Sequence, residues 1–412
     1  MAAGKRIVYH EIEGRDGVYY SLLGLLGLVL AGGLAAAWRM EHAGHVITGM
    51  SNQIVWGTPH VFAVFLIVAA SGALNVASLS SVFGRDIYKP LARLSGVLAL
   101  ALLTGGLAVL VLDLGRPDRL IVAMTHYNFK SIFAWNIFLY TGFVVVVLAY
   151  LWAMMERHQA VGLFTGAAGM LAFLWRLVLT TGTGSIFGFL VARQAYDAAI
   201  MAPLFIAMSL AFGTALFLLV LAGTCAFAAR PLGPALVGRL QRLLGIFVAA
   251  VMYLVAIQHL TNLYAAEHRG VEYFILAGGG IYTGLFWLGQ VGLGGVVPLW
   301  LAFHPAMRGR LAPALAAAAA TVVGGLAQLY VIIIGGQAVP LVLFPGREVS
   351  SSFFDGAIAA YSPSAMEIML GLGGVALSLS LVAVALRTLP VLALSLADAD
   401  IDPHCRGPAK AA

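Results

Sequence analysis

The chain has 412 residues, of which 61% are hydrophobic and only 10% charged, against roughly 25% charged in a soluble globular domain. That excludes an ordinary water-soluble enzyme. The net charge of +6 does not point to nucleic acid, because the 23 Lys and Arg residues are scattered through short connections rather than gathered in one block.

A helix crossing a bilayer needs about 20 apolar residues, because every backbone N–H and C=O must be satisfied inside the segment. Ten stretches qualify, near 18–38, 56–83, 91–114, 131–155, 161–182, 199–229, 240–264, 273–303, 311–335 and 364–388. The first is too long for the apolar part of a signal peptide and lacks a following small-residue cleavage site, so it is expected to stay in the mature protein. The expected fold is all-α: one polytopic membrane domain, 1–412, with ten transmembrane helices. Pro90-Leu91-Ala92-Arg93-Leu94 before the third stretch has an echo in Pro234-Ala235-Leu236-Val237-Gly238-Arg239-Leu240 before the seventh. The two elements run in the same direction, so 56–182 and 199–335 are expected to be parallel four-helix bundles, flanked by the first and last helices.

Lys and Arg sort unevenly on this ladder. The side carrying both termini has fifteen (Lys5, Arg6, Arg15, Arg85, Lys89, Arg93, Arg157, Arg230, Arg239, Arg242, Arg308, Arg310, Arg387, Arg406, Lys410) and the other has seven (Arg39, Arg116, Arg119, Lys130, Arg193, Arg269, Arg347). An excess of cationic residues marks the cytoplasmic side, so both termini are expected in the cytoplasm.

Most side chains able to move protons or bind a ligand then fall at the outer ends of the helices. His60 opens the second span, Asp113 closes the third, and the loop His126-Tyr127-Asn128-Phe129-Lys130 leads into the fourth. Arg176 is expected one to two turns from the outer end of the fifth span, with His259 at a similar depth in the seventh. Arg176, His259, Gln290 and Glu367 all lie within spans, where a polar group is costly unless paired or facing a cavity. For each, a structural contact between helices is the alternative reading, and for His60 and Asp113 a solvated or capping role. Thr180-Thr181-Gly182-Thr183-Gly184-Ser185 is expected to be a turn after the fifth span, its hydroxyls capping a short helix. It lacks the Lys-Ser/Thr ending of a phosphate-binding loop. The long outer loop 336–363 carries Phe344, Phe353, Phe354 and Tyr361, which suggests burial under a partner or at the lipid interface.

Three kinds of chemistry compete. Haem between helices needs paired histidines, and His60 and His259 alone lie inside spans, so a single bis-histidine haem is the most that fits. A secondary transporter needs polar groups near the midplane, where this sequence is poor. A quinone site needs an apolar cleft, a few polar groups at the carbonyl oxygens, and a histidine or carboxylate to take the protons of quinol oxidation. The outer cluster supplies those groups. With two cysteines, Cys225 and Cys405, the chain cannot supply the four thiolates of an iron–sulfur cluster, so any cluster must belong to a partner.

Leu112-Asp113-Leu114-Gly115-Arg116-Pro117, followed by His126-Tyr127-Asn128, resembles the NrfD/PsrC family of quinone-interacting membrane subunits. Ten spans resemble its longer branch. Pro59–Phe65, Asn128–Asn136 and Thr181–Phe189 are similar to the DsrP members of that branch, which belong to DsrMKJOP complexes of dissimilatory sulfur metabolism. The similarity covers nearly the whole chain. The resemblance implies a subunit without haem, metal or iron–sulfur cluster of its own, in a bacterial inner membrane, passing electrons between quinone (menaquinone or ubiquinone) and a periplasmic iron–sulfur protein. Its further implied partners are a cytochrome b, a multihaem cytochrome c and a cytoplasmic iron–sulfur protein. Some family members have a histidine within the second span where Ser71 stands here.

On this reading His60 and His126 contact the quinone carbonyls or accept protons, and Asp113 orients a histidine or relays the proton. Tyr127, Asn128, Lys130 and Arg176 hydrogen-bond the quinone or hold the loop, and replacing His126 by Ala is expected to abolish turnover. Two rivals stand beside it: a structural anchor that exchanges no electrons with quinone, and a proton-translocating element with Glu156, His259 and Glu367 as stations.

Overall fold

The computed structural model describes residues 7–14, 16–156, 164–341 and 356–401. Phe344, Phe353, Phe354 and Cys405 lie outside the described residues, as do Lys5, Arg6, Arg15, Arg157, Arg347, Arg406 and Lys410 of the charge pattern.

Among the described residues, ten helices are long and apolar enough to cross a membrane: α1 (Gly17–Ala43), α2 (Thr58–Ser81), α3 (Asp86–Leu112), α4 (Ile132–Met155), α5 (Thr165–Gly188), α6 (Met201–Phe227), α7 (Pro234–Tyr264), α8 (Ile281–Phe303), α9 (Leu311–Ala338) and α10 (Ala365–Thr388). The shortest, α8, has 23 residues, which at 1.5 Å per residue reaches about 35 Å. That is enough for a hydrocarbon core. The chain is an integral membrane protein of the expected all-α kind.

Helix α2 is the axis of the fold, with 89% of its apolar window buried against protein, compared with 22% for the peripheral α1. It packs on α3, α6 and α10, while α4 pairs with α5, α6 with α7 and α9, α8 with α9, and α1 with α10. Membrane helices gain nothing from leaving water, so close backbone approach and van der Waals packing hold them. Gly72 and Gly213 show the device: a Cβ at Gly72 would overlap the Ser209 carbonyl, and one at Gly213 would overlap the backbone of Gly72 and Ala73. Only glycine lets α2 and α6 touch there.

Both ends of the described chain meet on one face. Tyr9–His10 (β1) pairs antiparallel with Leu392–Ala393 (β2). The Arg230 guanidinium donates to the carbonyls of His10, Glu11, Leu392 and Ala393 at 2.7–3.2 Å, binding the end of α6 to both strands.

Several boundaries differ from the sequence expectations for identifiable reasons. Helix α5 runs through Thr180–Ser185 to Gly188 instead of turning at 182; within it Thr180 and Thr183 return their hydroxyls to the carbonyls of Arg176 and Leu179 one turn back, so they do not cap a new helix. The expected turn is a buried, glycine-bearing helix face. Helix α7 starts at Pro234, because proline without an N–H suits a first turn. Helix α8 starts at Ile281 because Gly280, at φ +58°, breaks the backbone between it and a preceding π-helical stretch, Phe274–Gly278.

Candidate functional site

His60 lies in the first turn of α2 and Asp113 is the residue that ends α3, so the antiparallel packing of these two helices brings them together at one end of the bundle. His60 Nδ1 is 2.8 Å from Asp113 Oδ2, with the carboxylate almost fully enclosed. Beyond this contact, His60 Nδ1 and both Asp113 carboxylate oxygens are enclosed and have no further hydrogen-bond partner. Such groups are rare and costly enough to call for a functional explanation. The placement also opposes the helix dipole, which favours anions at a helix N-terminus and cations at a C-terminus. Helix stability is not what selects these two residues.

Aromatic rings lie beside the pair. Trp56 stacks on the His60 ring at 6.0 Å and 25°. It also meets Phe133 at the start of α4, Phe187 of α5 and Tyr196, at 5.8–6.4 Å. On the far side His45 Nε2 donates to the Asp113 backbone carbonyl at 3.1 Å. The result is a His–carboxylate pair beside the Trp56 ring, which is itself held by an aromatic cluster.

The remaining candidate residues divide among separate places. His126 is exposed, with Nδ1 3.0 Å from the Thr125 hydroxyl. Asn128 accepts from the Lys130 backbone N–H at 3.0 Å, a local turn that launches α4, and both are exposed. The Tyr127 ring lies 4.4 Å from Phe138. No described contact joins this loop's His126, Tyr127, Asn128 or Lys130 to His60, although Phe133 links the start of α4 to Trp56.

Arg176 lies deeper than expected, because α5 continues to Gly188, which puts it about 18 Å from the helix's C-terminal end. It is 2% exposed and donates Nη2 to Asn75 Oδ1 at 2.8 Å, with its guanidinium over the Phe173 ring at 4.9 Å. Its Nε and Nη1 have no hydrogen-bond partner. Asn75 follows His60 by roughly 20 Å along α2, so Arg176 marks a different level of the bundle. Ser71 hydrogen-bonds the Arg176 carbonyl and the Thr180 hydroxyl and ties α2 to α5. A buried cation with one hydrogen bond is destabilising. Replacing Arg176 with Met is expected to raise the unfolding temperature of the detergent-solubilised protein by about 2–5 °C; a fall of that size in differential scanning fluorimetry contradicts this.

His259, Glu156 and Glu367 are not brought together. Glu156 is half-buried at the end of α4 on the face carrying the chain ends. His259, near the opposite end of α7, places Nδ1 2.7 Å from Glu272 Oε2, and Glu272 accepts from Asn262 at 2.9 Å. Glu272 is not evident from sequence because it stands outside the obvious apolar run, in a short connecting helix. Beneath that pair are two small cavities, about 20 Å³ beside Gln258, His259, Gln290 and Gln328, and about 10 Å³ beside Gln290, Thr321 and Gln328. The larger has room for one water, not for an aromatic ring. Neither borders His60 or Asp113.

Glu367 is fully buried in the first turn of α10. It accepts from the backbone of Ser364 at 2.7 Å and Gly49 at 2.9 Å, and from the Tyr361 hydroxyl at 2.5 Å. Burial, together with the adjacent Glu367 carboxylate, pushes the Tyr361 hydroxyl above its ordinary tyrosine pKa. It remains a neutral hydrogen-bond donor. Among the described residues no group of three or more His, Cys, Asp or Glu is placed to hold a metal ion.

The fold and the site together define a polytopic helical membrane protein in which a half-buried histidine meets a buried carboxylate at one end of the bundle. The chain belongs to the NrfD family: the model described as polysulphide reductase, NrfD, matches residues 46–341. It is 28% identical to the Hdr-like menaquinol oxidoreductase integral membrane subunit of Archaeoglobus fulgidus, over 90% of this chain and 93% of that one. It is 30% identical to a putative dimethyl sulfoxide reductase membrane subunit of Halobacterium salinarum, over 90% and 91%. A selenate reductase subunit of Mesobacillus selenatarsenatis is 23% identical, over 69% and 74%.

Proposed function

We propose that this chain is the quinone-exchanging membrane subunit of a larger redox complex, with the quinone ring at His60 and Asp113 in an outer-facing bundle formed by α2–α5. The carrying observation is the pair itself: a partly exposed His60 2.8 Å from a buried Asp113, with no other hydrogen-bond partner on the facing atoms, beside the Trp56 ring. A quinol hydroxyl can donate to a carboxylate oxygen or to a neutral imidazole nitrogen, so Asp113 Oδ1 and the second nitrogen of His60 suit a quinol headgroup. The name of the Archaeoglobus relative, a menaquinol oxidoreductase subunit, favours menaquinone as substrate.

Oxidation of a quinol gives up two electrons and two protons. His60 is placed to take a proton at Nε2, while the Asp113 carboxylate 2.8 Å from Nδ1 holds that nitrogen as N–H, stabilises the imidazolium and offers a second acceptor at Oδ1. The electrons leave to an iron–sulfur protein docked on the outer face, since the two cysteines here cannot hold a cluster. Reversal of the same steps reduces quinone. The positive-inside count puts the chain ends in the cytoplasm and the His60 face in the periplasm of a bacterial inner membrane. The DsrP-like runs support a place in dissimilatory sulfur metabolism, beside cytochrome b, multihaem cytochrome c and cytoplasmic iron–sulfur partners.

An azido-naphthoquinone photolabel tests where the ring sits. Labelled peptides are expected to contain Trp56–His60 or Phe133. Labelling confined to α7–α9, around Gln258 and Gln328, would instead place the ring in the other half of the chain.

A further inference from the structure

Helix α2 begins at Gly57, which has no side chain to cap it. The first helical N–H groups lack intrahelical partners and are normally met by a side chain at that position. Here the cap comes from the far end of the chain. The Thr58 backbone N–H donates to the Tyr361 hydroxyl at 2.7 Å, Thr58 Oγ1 lies 2.9 Å from the same oxygen, and Tyr361 donates onward to the buried Glu367 carboxylate. A Cβ at Gly57 would lie 2.8 Å from the Tyr361 hydroxyl and would overlap Glu367 Oε1. Glycine at the cap makes room for a cap supplied from outside.

The residues just before Gly57 are gripped in the same way. The Gln337 side chain, from the end of α9, accepts from the Val55 and Trp56 N–H groups at 3.0 and 3.1 Å and donates to the Trp56 carbonyl at 2.9 Å. Arg193 fastens Gln337 to this loop by donating to the carbonyls of Gln337 at 3.1 Å and Gln53 at 2.8 Å. Trp56 and His60 are thus held from both sides by side chains more than 280 residues away in sequence.

We infer that Tyr361, backed by Glu367, is a positioning residue for the His60 site: it caps α2 from outside and fixes the first turn that aims the imidazole at Asp113. Gln337 does the same for Trp56. This inference rests on the quinone-site reading above. A neutral hydroxyl backed by a carboxylate suits the role, since it accepts from the helix end while donating its own proton.

Tyr361→Phe keeps the ring and removes the cap. In the native complex, purified by a tag on this chain and placed in lipid nanodiscs, kcat for menadiol oxidation is expected to fall about tenfold with KM changed less than about twofold, as for a misaimed proton acceptor whose neighbouring rings are unchanged. The same substitution in a His60→Ala background is expected to add nothing, because the group it positions is gone. Wild-type kcat in Tyr361→Phe, or losses that multiply in the double variant, overturn the inference while leaving the quinone site standing. Full turnover in His60→Ala overturns the quinone-site reading, and this inference with it. Should the Phe variant fail to assemble, Glu367→Gln carries the same comparison, with an expected loss of about threefold from the weakened acceptor; no loss there overturns the inference.

Discussion

Replacing His60 with Ala is expected to lower quinol oxidation by about 100- to 1,000-fold in a complex that still assembles, the range for removing a positioned acid–base group. Assembly should survive because the His60 ring touches Trp56 and Asp113 but carries none of the α2–α6 glycine packing that holds the fold. The loss should appear in kcat more than in KM, since the Trp56 aromatic cluster beside the site remains. His126→Ala should cost much less, because that side chain is exposed and meets Thr125 rather than the His60–Asp113 pair. A complex in which His126→Ala abolishes turnover and His60→Ala does not would move the site to the outer loop.

Asp113→Asn is the second large effect, expected to lower kcat by about 10- to 100-fold. The amide is isosteric, so packing at the end of α3 and the His45 contact with the Asp113 backbone carbonyl are retained. What is lost is the negative charge beside His60 Nδ1, and with it the stabilisation of the imidazolium that forms when the ring accepts a proton. Asn also presents an N–H where two acceptor oxygens stood, so one of the two proton destinations disappears. Turnover within about twofold of wild type in Asp113→Asn would show that the carboxylate takes no part in the proton's path.

The membrane character is plain from sequence because a helix in lipid must satisfy its own backbone, which forces long apolar runs that composition alone reveals. The pairing of His60 with Asp113 is legible in part. Both stand at the same end of consecutive antiparallel spans, so topology predicts the same depth, although only packing shows them 2.8 Å apart. Arg176 is placed too near the outer end by sequence because Gly182 and Gly184 look like a turn, yet in a membrane helix they are points of close approach to α4 and α6. Tyr361 and Gln337 are not legible as site residues. Their roles depend on contacts across more than 280 positions, and neither a cap supplied from outside nor a glycine that makes room for it leaves a local pattern. Glu272 is hidden for a related reason, since its partner His259 lies across a helix junction.

The most direct test is quinol-driven reduction of the iron–sulfur clusters in the purified complex, followed by EPR with and without a quinone-site inhibitor. Reduction that the inhibitor blocks, and that His60→Ala loses, is the expected result. Intact clusters that exchange no electrons with added quinol or quinone in either direction would contradict it, and would make the chain a membrane anchor for its partners.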